Sequence, residues 1–135
     1  MSRSGYSDDY DDDRMLYLWR GTVARAINGK RGQKFLREMR DALDAMPNKR
    51  LIDGDLISDG EVCAIGSVGV AKGVPMDDLD PENPEEIAAR FGISAALVQE
   101  IEYMNDEYPW ISESPEARWS RMRAWVSKQI KEPQS

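Results

Sequence analysis

The chain has 135 residues, the length of one average domain, with 41% hydrophobic residues and a formal charge of −7. It contains no histidine and one cysteine, which excludes the commonest general base, the usual zinc ligand sets and any internal disulfide. No apolar run approaches the ~20 residues of a membrane span, and the polar, acidic first residues are unlike a signal or transit peptide. We therefore expect a cytoplasmic protein.

Charge is segregated along the chain. Residues 14–50 carry ten basic and three acidic residues, net +7, whereas residues 51–113 carry two basic and fifteen acidic residues, net −13. The flanking segments, residues 1–13 and 114–135, have net charges of −4 and +3. Such segregation either directs binding to charged partners or stabilises the fold through attraction between segments, and the second role is the commoner one.

The predicted elements define a mainly α fold, a single compact helical domain of about five helices over residues 14–131. Residues 1–13 predict a flexible acidic arm, and residues 132–135 a frayed tail. If the arm docks on the basic segment beside it, Tyr6 and Tyr10 are the apolar anchors available to it.

Two amphipathic helices come first. One is predicted over residues 14–27, ending at Asn28-Gly29, and the other over residues 33–46, ending before Pro47. Because the connection is short, the two should be antiparallel neighbours. Their apolar faces, at helical spacing, consist of Leu16, Trp19, Val23 and Ile27 in the first, and of Leu36, Met39, Leu43 and Met46 in the second.

Residues 61–72 are apolar and β-branched enough for a buried strand, but Gly73 and Pro75 form a helix stop. We favour a small buried helix, capped by Asp59, in which Gly66 and Gly69 let a neighbour approach closely. Cys63 lies in this run and is expected to be a buried, unreactive thiol.

Residues 84–101, PEEIAARFGISAALVQEI, resemble the helix-turn-helix of DNA-binding regulators. The spacing predicts a helix over residues 84–91, a turn with positive φ at Gly92, and a second helix over residues 95–107 capped by Ser94. A last helix begins at Pro115 and is capped by Ser114 or Ser112. Its inner face should carry Trp119, Met122, Val126 and Ile130, and its outer face Arg118, Arg121 and Lys128.

The second helix of this pair lacks the chemistry of a DNA reader. Its predicted outward positions are Ala95, Ala96, Gln99, Glu102, Tyr103 and Asp106. Among these only Gln99 is a good reader of base edges, and carboxylates here would meet phosphates. We therefore expect this pair to serve packing or a protein partner. The candidate partner-binding acidic face consists of Gln99, Glu100, Glu102, Tyr103 and Asp106.

A basic patch on the first two helices is the alternative site. It would bind phosphates or acidic groups, although a solvated face paired with the acidic middle segment is the commoner outcome. Its residues are Arg25, Lys30, Arg31, Lys34 and Arg37.

No constellation for catalysis or metal binding emerges from the sequence. Asp53-Gly54-Asp55 only faintly suggests a calcium loop, because the later ligands are out of register. Without histidine no usual nucleophile–base pair can be assembled. We predict a protein without cofactor or bound metal that is not an enzyme.

Nearly the whole chain resembles an uncharacterised family of small proteins encoded in tailed bacteriophages and prophages. The segments that carry the resemblance are 1–9 (MSRSGYSDD), 19–21 (WRG), 29–33 (GKRGQ), 60–64 (GEVCA), 79–81 (LDP), 102–107 (EYMNDE) and 116–119 (EARW). The resemblance implies a viral accessory role in the cytoplasm of an infected bacterium, and it carries over no functional residue.

Three functional hypotheses follow. The first is a phage accessory protein that binds a host or phage macromolecule through its acidic surface and inhibits a defence or nucleic-acid-processing complex. The second is a nucleic-acid-binding protein that uses the basic first helix pair. The third is a virion or assembly component.

Overall fold

Six helices and one short hairpin form the described part of the chain, which comprises residues 3–4, 13–108 and 112–131 of a computed structural model. Side chains of the first helix are described from residue 16 onward. The elements are α1 (Asp13–Asn28), α2 (Lys30–Ala45), β1 (Ile57–Ser58), β2 (Glu61–Val62), α3 (Ala64–Lys72), α4 (Pro84–Phe91), α5 (Ala95–Asp106) and α6 (Pro115–Gln129). The fold is mainly helical, as predicted. Within these ranges no helix has both the length and the apolar character needed to cross a bilayer.

Helix α5 lies at the centre of the packing. It contacts α1, α3, α4 and α6, and its Leu97, Val98 and Ile101 are buried. Helix α2 completes the core by packing on α1, α3 and α6. Phe35 of α2 meets Phe91 at the end of α4 in an edge-to-face contact, with ring centroids 5.9 Å apart. Phe35 lies outside the apolar face predicted for α2, which is therefore wider than the sequence spacing indicated.

The turn between α1 and α2 is tighter than predicted. Only Gly29 separates the two helices, and α2 begins at Lys30, three residues before its predicted start. Gly32 makes this possible, because a Cβ there would lie 1.9 Å from the backbone oxygen of Ala26. The first turn of α2 therefore packs directly against the backbone of α1, and only glycine fits at this position.

A two-residue hairpin turn joins β1 and β2. Asp59 and Gly60 both have positive φ, 51° and 78°, which is the backbone of the tight turns favoured in hairpins. Ile57 pairs with Val62 across the antiparallel ladder.

Helix α3 confirms the prediction of a small buried helix that contains glycines. A Cβ on Gly66 would lie 2.0 Å from the backbone oxygen of Leu56, so the chain before the hairpin approaches the helix closely here. Gly73 ends the helix in the left-handed conformation, with φ 69°. The cap prediction was wrong: Asp59 forms the hairpin turn, and the Sγ of Cys63 accepts the hydrogen bond from Gly66 N instead, at 3.4 Å.

The predicted turn between α4 and α5 is confirmed. Gly92 has φ 72°, and the Ser94 hydroxyl accepts a hydrogen bond from Leu97 N at 3.3 Å. Ser114 caps α6 by accepting from Ala117 N at 3.1 Å. Met122 and Val126 line its buried face as expected, with Ile130 buried just beyond its end.

Two arginines of α6 contradict their predicted outward placement. Arg118 is 8% exposed and donates from Nε to the oxygen of Asn105 at 3.1 Å and from Nη1 to that of Leu51 at 2.9 Å. Arg121 donates to Glu113 and to the oxygen of Met104. Both guanidiniums satisfy carbonyl oxygens at the C-terminal end of α5, where a cation is favoured. Lys128 is exposed as predicted.

We expect Gly32→Ala to lower the free energy of unfolding by about 1–3 kcal/mol or more, because the new methyl group would overlap the Ala26 carbonyl. Gly21→Ala, inside α1, is the matched control: its Cβ would meet only the flexible end of Arg25, at 3.4 Å. This control should stabilise the protein by up to about 1 kcal/mol. Urea unfolding of both variants measures the effect, and equal stabilities would contradict the close packing of the two helices.

Candidate functional site

The predicted acidic face of α5 is largely inside the protein. Glu102 is fully buried and Glu100 is 4% exposed, while Gln99, Tyr103 and Asp106 are half-buried. The placement of Glu102 and Asp106 as outward residues was therefore wrong, and Ala96, also predicted outward, is buried. The physical reason is that α1, Arg3 and Ser4 cover the side of α5 that the sequence spacing assigned to solvent.

Helix α1 neutralises Glu100. The two terminal nitrogens of Arg20 donate to the two carboxylate oxygens, at 3.0 and 3.2 Å. This two-point geometry is the strongest form of an arginine–carboxylate pair, and it attaches α1 to α5.

Arg3 neutralises the other end of the same helix. Its side chain is 3% exposed, and it donates from Nε and Nη2 to the Asp106 carboxylate at 2.5 and 2.9 Å. Its Nη1 lies 3.3 Å from Oε2 of Glu102 and 3.6 Å from Sγ of Cys63. The hydroxyl of the neighbouring Ser4 donates to Glu107 at 2.6 Å. We call the site formed by Cys63, Glu102 and Asp106 around this guanidinium the Arg3 pocket.

The N-terminal arm therefore departs from its prediction at two residues. Arg3 and Ser4 are buried and contact the acidic helix α5, whereas the sequence predicted a flexible arm for which the basic segment was only an available docking surface. The predicted anchors Tyr6 and Tyr10 lie outside the described residues, as do residues 132–135.

Glu102 is the most perturbed carboxyl group of the Arg3 pocket. Neither of its oxygens accepts a hydrogen bond from the described residues. Burial raises the pKa of this carboxyl to about 8; the nearby Arg3 lowers it and Asp106 raises it further. A glutamic acid with such a pKa carries its proton for much of the time at neutral pH. The pocket thus combines one ionised carboxylate, one protonatable carboxyl group and one guanidinium.

Asn105 supports this pocket and was not identified from the sequence. Its Oδ1 accepts from Ala64 N at 3.1 Å, and its Nδ2 donates to the oxygen of Ile52 at 2.9 Å and to Asp106 at 2.7 Å. It thereby holds Asp106 in place for Arg3. The only sequence signal was an asparagine inside a helix, where this residue type is unfavourable unless its side chain has a partner.

The predicted basic patch lies on the surface at the turn between α1 and α2. Arg25, Lys30 and Arg31 line a concavity of about 310 Å³ together with Gly29 and Ser94. Lys34 and Arg37 follow Lys30 by four and seven residues, which continues the same face along α2. We call these five basic residues the basic elbow.

No member of the basic elbow forms an ion pair with an acidic side chain of the described ranges. Arg25 donates to the hydroxyl of Thr22 at 3.2 Å, and Arg37 to the oxygen of Lys131 at 3.1 Å. In contrast, several basic residues elsewhere have acidic partners: Lys72 pairs with Glu38 at 2.7 Å and Arg123 with Asp44 at 2.6 Å, for example. The expectation that this face pairs with the acidic middle segment was wrong within those ranges.

The start of α2 adds positive potential to the basic elbow. Its N-cap residue Gly29 offers no side-chain acceptor, and the first turn contains no acidic residue. Helix α4, in contrast, begins with the capping side chain of Asn83 and with Glu85 and Glu86. An uncapped helix start has free N–H groups and a partial positive charge, which favour an anion.

Gln33 joins the basic elbow to the end of α6. Its buried side chain donates to the oxygens of Ile27 and Gln129, both at 2.9 Å, and accepts from Lys131 N at 2.8 Å. These bonds fix the ends of three helices against one another, and they bring the exposed Lys131 beside Arg37.

Two further concavities are lined by residues that the structure describes. One of about 320 Å³ lies between the end of α2, the hairpin and α3, next to the exposed Val70. The other, of about 350 Å³, is lined by the acidic residues Asp53, Asp55, Asp59 and Glu61. Among the residues that the structure describes, no group of three or more potential ligands is arranged to hold a metal ion.

Comparison with protein-family models, with curated proteins and with solved structures found no match to this chain.

Glu102 predicts a distinctive pH dependence of stability. Because its pKa is raised from 4.5 to about 8 on folding, the folded state binds a proton that the unfolded state releases between these values. The stabilisation that comes from protonated Glu102 is thus complete below about pH 4.5 and is lost as the pH rises through about 8. We expect the free energy of unfolding to be larger at about pH 5.5 than at about pH 8, by about 1 kcal/mol or more.

Glu102→Gln should flatten this dependence, because the amide resembles the protonated carboxyl group at every pH. Glu85→Gln, at an exposed position, is the matched control and should leave the dependence unchanged. The chain has no histidine, so no imidazole obscures this pH window. Urea unfolding at both pH values provides the measurement, and an equal slope in the Glu102→Gln variant would contradict the assignment.

Proposed function

We propose that the protein is a non-enzymatic bacteriophage or prophage accessory protein that acts in the cytoplasm of the infected bacterium and binds nucleic acid through the basic elbow. The observation that carries the proposal is the set of five basic side chains on one surface, none paired with an acidic side chain of the described ranges. Cationic side chains left without a carboxylate are available for phosphates.

The chemistry of the basic elbow fits phosphate groups rather than base edges. Its members are arginine and lysine beside an uncapped helix start, which are typical contacts to the nucleic-acid backbone. Helix α5 offers no alternative surface for contacts with base edges, because Glu102 is buried and Gln99 is half-buried. The proposed binding therefore depends on the phosphate backbone of the nucleic acid and depends little on its base sequence.

The net charge of −7 does not oppose this binding strongly. Glu100 and Asp106 are neutralised inside the protein by Arg20 and Arg3. At physiological salt, charges separated by more than about 8 Å are largely screened, so the local charge of the basic elbow dominates at its surface.

Removal of three charges from the basic elbow tests the proposal. The triple variant Lys30→Gln, Arg31→Gln, Lys34→Gln should bind a short DNA duplex or single strand more weakly. The plot of log affinity against log salt should lose about 1 unit of slope for each residue that contacts a phosphate. Fluorescence anisotropy from about 50 to about 200 mM salt measures both quantities.

The matched control loses the same charge at ion-paired positions. It is the triple variant Lys72→Gln, Arg90→Gln, Arg123→Gln, whose basic residues already contact Glu38, Asp78 and Asp44. It should keep most of the affinity and the salt slope. The proposal fails if both triple variants lose affinity equally, or if the parent chain shows no binding at low salt.

A basic protein partner is the second candidate, and the acidic connection before α4 favours it. Four carboxylates are exposed in this connection and at the start of α4: Asp77, Asp80, Glu82 and Glu85. A further carboxylate of the connection, Asp78, is paired with Arg90. If the protein inhibits a host complex, this exposed acidic surface is the proposed contact, in place of the largely buried acidic face of α5. Contact with such a complex would use carboxylates that are already in solvent.

Capture from host lysate distinguishes this second candidate. The variant Asp77→Lys, Asp80→Lys, Glu85→Lys should lose the captured protein. The control variant Asp41→Lys, Asp53→Lys, Glu116→Lys changes equally exposed carboxylates elsewhere and should retain it. Equal capture by both variants would reject the acidic connection as the contact.

A further inference from the structure

An exposed aromatic side chain lies on α1, on the helix that also carries Arg25 of the basic elbow. Tyr17 is 78% exposed, more than any other large apolar side chain that the structure describes. Leu16 and Leu18 on either side of it are exposed as well. Single exposed apolar residues are ordinary on protein surfaces, but a run of three is a surface that packing within the chain does not account for.

Tyr17 is aligned with the Arg25 guanidinium. Tyr17, Gly21 and Arg25 follow one another at intervals of four residues, so they lie along one face of α1. Arg25 extends back along this face: its Nη2 donates to the hydroxyl of Thr22 at 3.2 Å, and a Cβ on Gly21 would lie 3.4 Å from its Nη1. Thr22 is fixed in turn, because its hydroxyl donates to the oxygen of Leu18 at 3.1 Å.

Gly21 leaves the surface between the tyrosine and the guanidinium open. It has no side chain, and it lies one helical turn, about 6 Å along the axis, from Tyr17. The Arg25 guanidinium, held above Gly21, is therefore about one turn from the tyrosine position. A flat, exposed aromatic group and a fixed cation are thus neighbours on the same helix face.

A nucleotide has the two groups that complement this pair. Its base stacks on aromatic rings, and its phosphate binds arginine, which is how proteins bind single strands without reading their sequence. In a duplex the faces of each base are covered by the neighbouring base pairs, so a base must leave the duplex before a side chain can stack on it. The ring of Tyr17 is therefore useful to a single strand and not to an intact duplex.

The charges on the two sides of Tyr17 favour the same ligand. Residues 8–13, directly before it in the chain, contain five aspartates, whereas the basic elbow begins eight residues after it at Arg25. An uncharged base can lie next to the acidic side while its phosphate is attracted to the basic side. A duplex has phosphates on both strands and would bring some of them toward the aspartates.

We propose that Tyr17 and the basic elbow form one binding surface for single-stranded nucleic acid. A base stacks on the ring of Tyr17, the adjoining phosphate contacts Arg25, and the strand continues toward Lys30 and Arg31 in the elbow concavity. This inference rests on the proposed function, because the phosphates are those that the basic elbow binds. It adds the class of nucleic acid and a contact that carries no charge.

Tyr17→Ala in the full chain tests the inference by fluorescence anisotropy at about 50 mM salt. The probes are a single strand of about 10 nucleotides of mixed sequence and the duplex of the same sequence. The parent chain should bind the single strand more tightly than the duplex. Tyr17→Ala should bind the single strand about tenfold more weakly and the duplex as the parent does. Tyr17→Phe, which retains the ring, should keep the parent affinity.

Two controls separate stacking from other effects. Leu18→Ala removes a neighbouring exposed apolar side chain without removing a ring, and it should keep the parent affinity for the single strand. An abasic strand has the same phosphates without bases, and it should bind the parent and Tyr17→Ala equally, because the stacking partner is already absent. The slope of log affinity against log salt should be unchanged in Tyr17→Ala, since no phosphate contact is lost.

The outcomes distinguish this inference from the proposed function. If Tyr17→Ala binds the single strand as tightly as the parent, or loses the same factor for the abasic strand, Tyr17 does not stack on a base, and the role of the basic elbow stands. An equal loss in Leu18→Ala also overturns stacking. Absence of any binding by the parent chain rejects both proposals, and this result is recognised before any variant is compared.

Discussion

Burial of carboxylates on the central helix is the constraint on which the rest of the structure depends. Glu100, Glu102 and Asp106 lie on α5, which is covered on several sides, so their charge must be neutralised inside the protein. No basic residue of α5 itself is available, and the neutralising arginines come from distant parts of the chain. Arg20 attaches α1 to α5, and Arg3 itself lies against the other end of the same helix.

The same constraint explains the uneven charge of the surface. The acidic middle segment contributes part of its charge to the interior, where two arginines of the first 20 residues meet it. The five residues of the basic elbow, including Lys30 and Lys34, then lack acidic partners among the residues that the structure describes. Charge segregation along the sequence therefore serves both roles considered for it, attraction between segments in the core and an unbalanced basic surface outside.

The sequence predicted the local features well and the long-range contacts poorly. Gly92 and Ser94 were placed correctly, because a positive-φ turn and a helix cap depend on neighbouring residues alone. The partner of Asp106 was missed because Arg3 lies 103 residues away. Arg118 was placed outward for a similar reason: the carbonyl oxygens that bind it belong to other elements, and helical spacing contains no information about them.

The three hydrogen bonds of Gln33 have a consequence for kinetics. They fix the ends of α1, α2 and α6 together, so the basic elbow is a preformed surface whose backbone needs no rearrangement before contact. A ligand that meets a preformed, charged surface does not wait for a conformational step. Its association rate is then governed by diffusion and electrostatic steering, and differences in affinity between ligands arise mainly from how quickly each one dissociates.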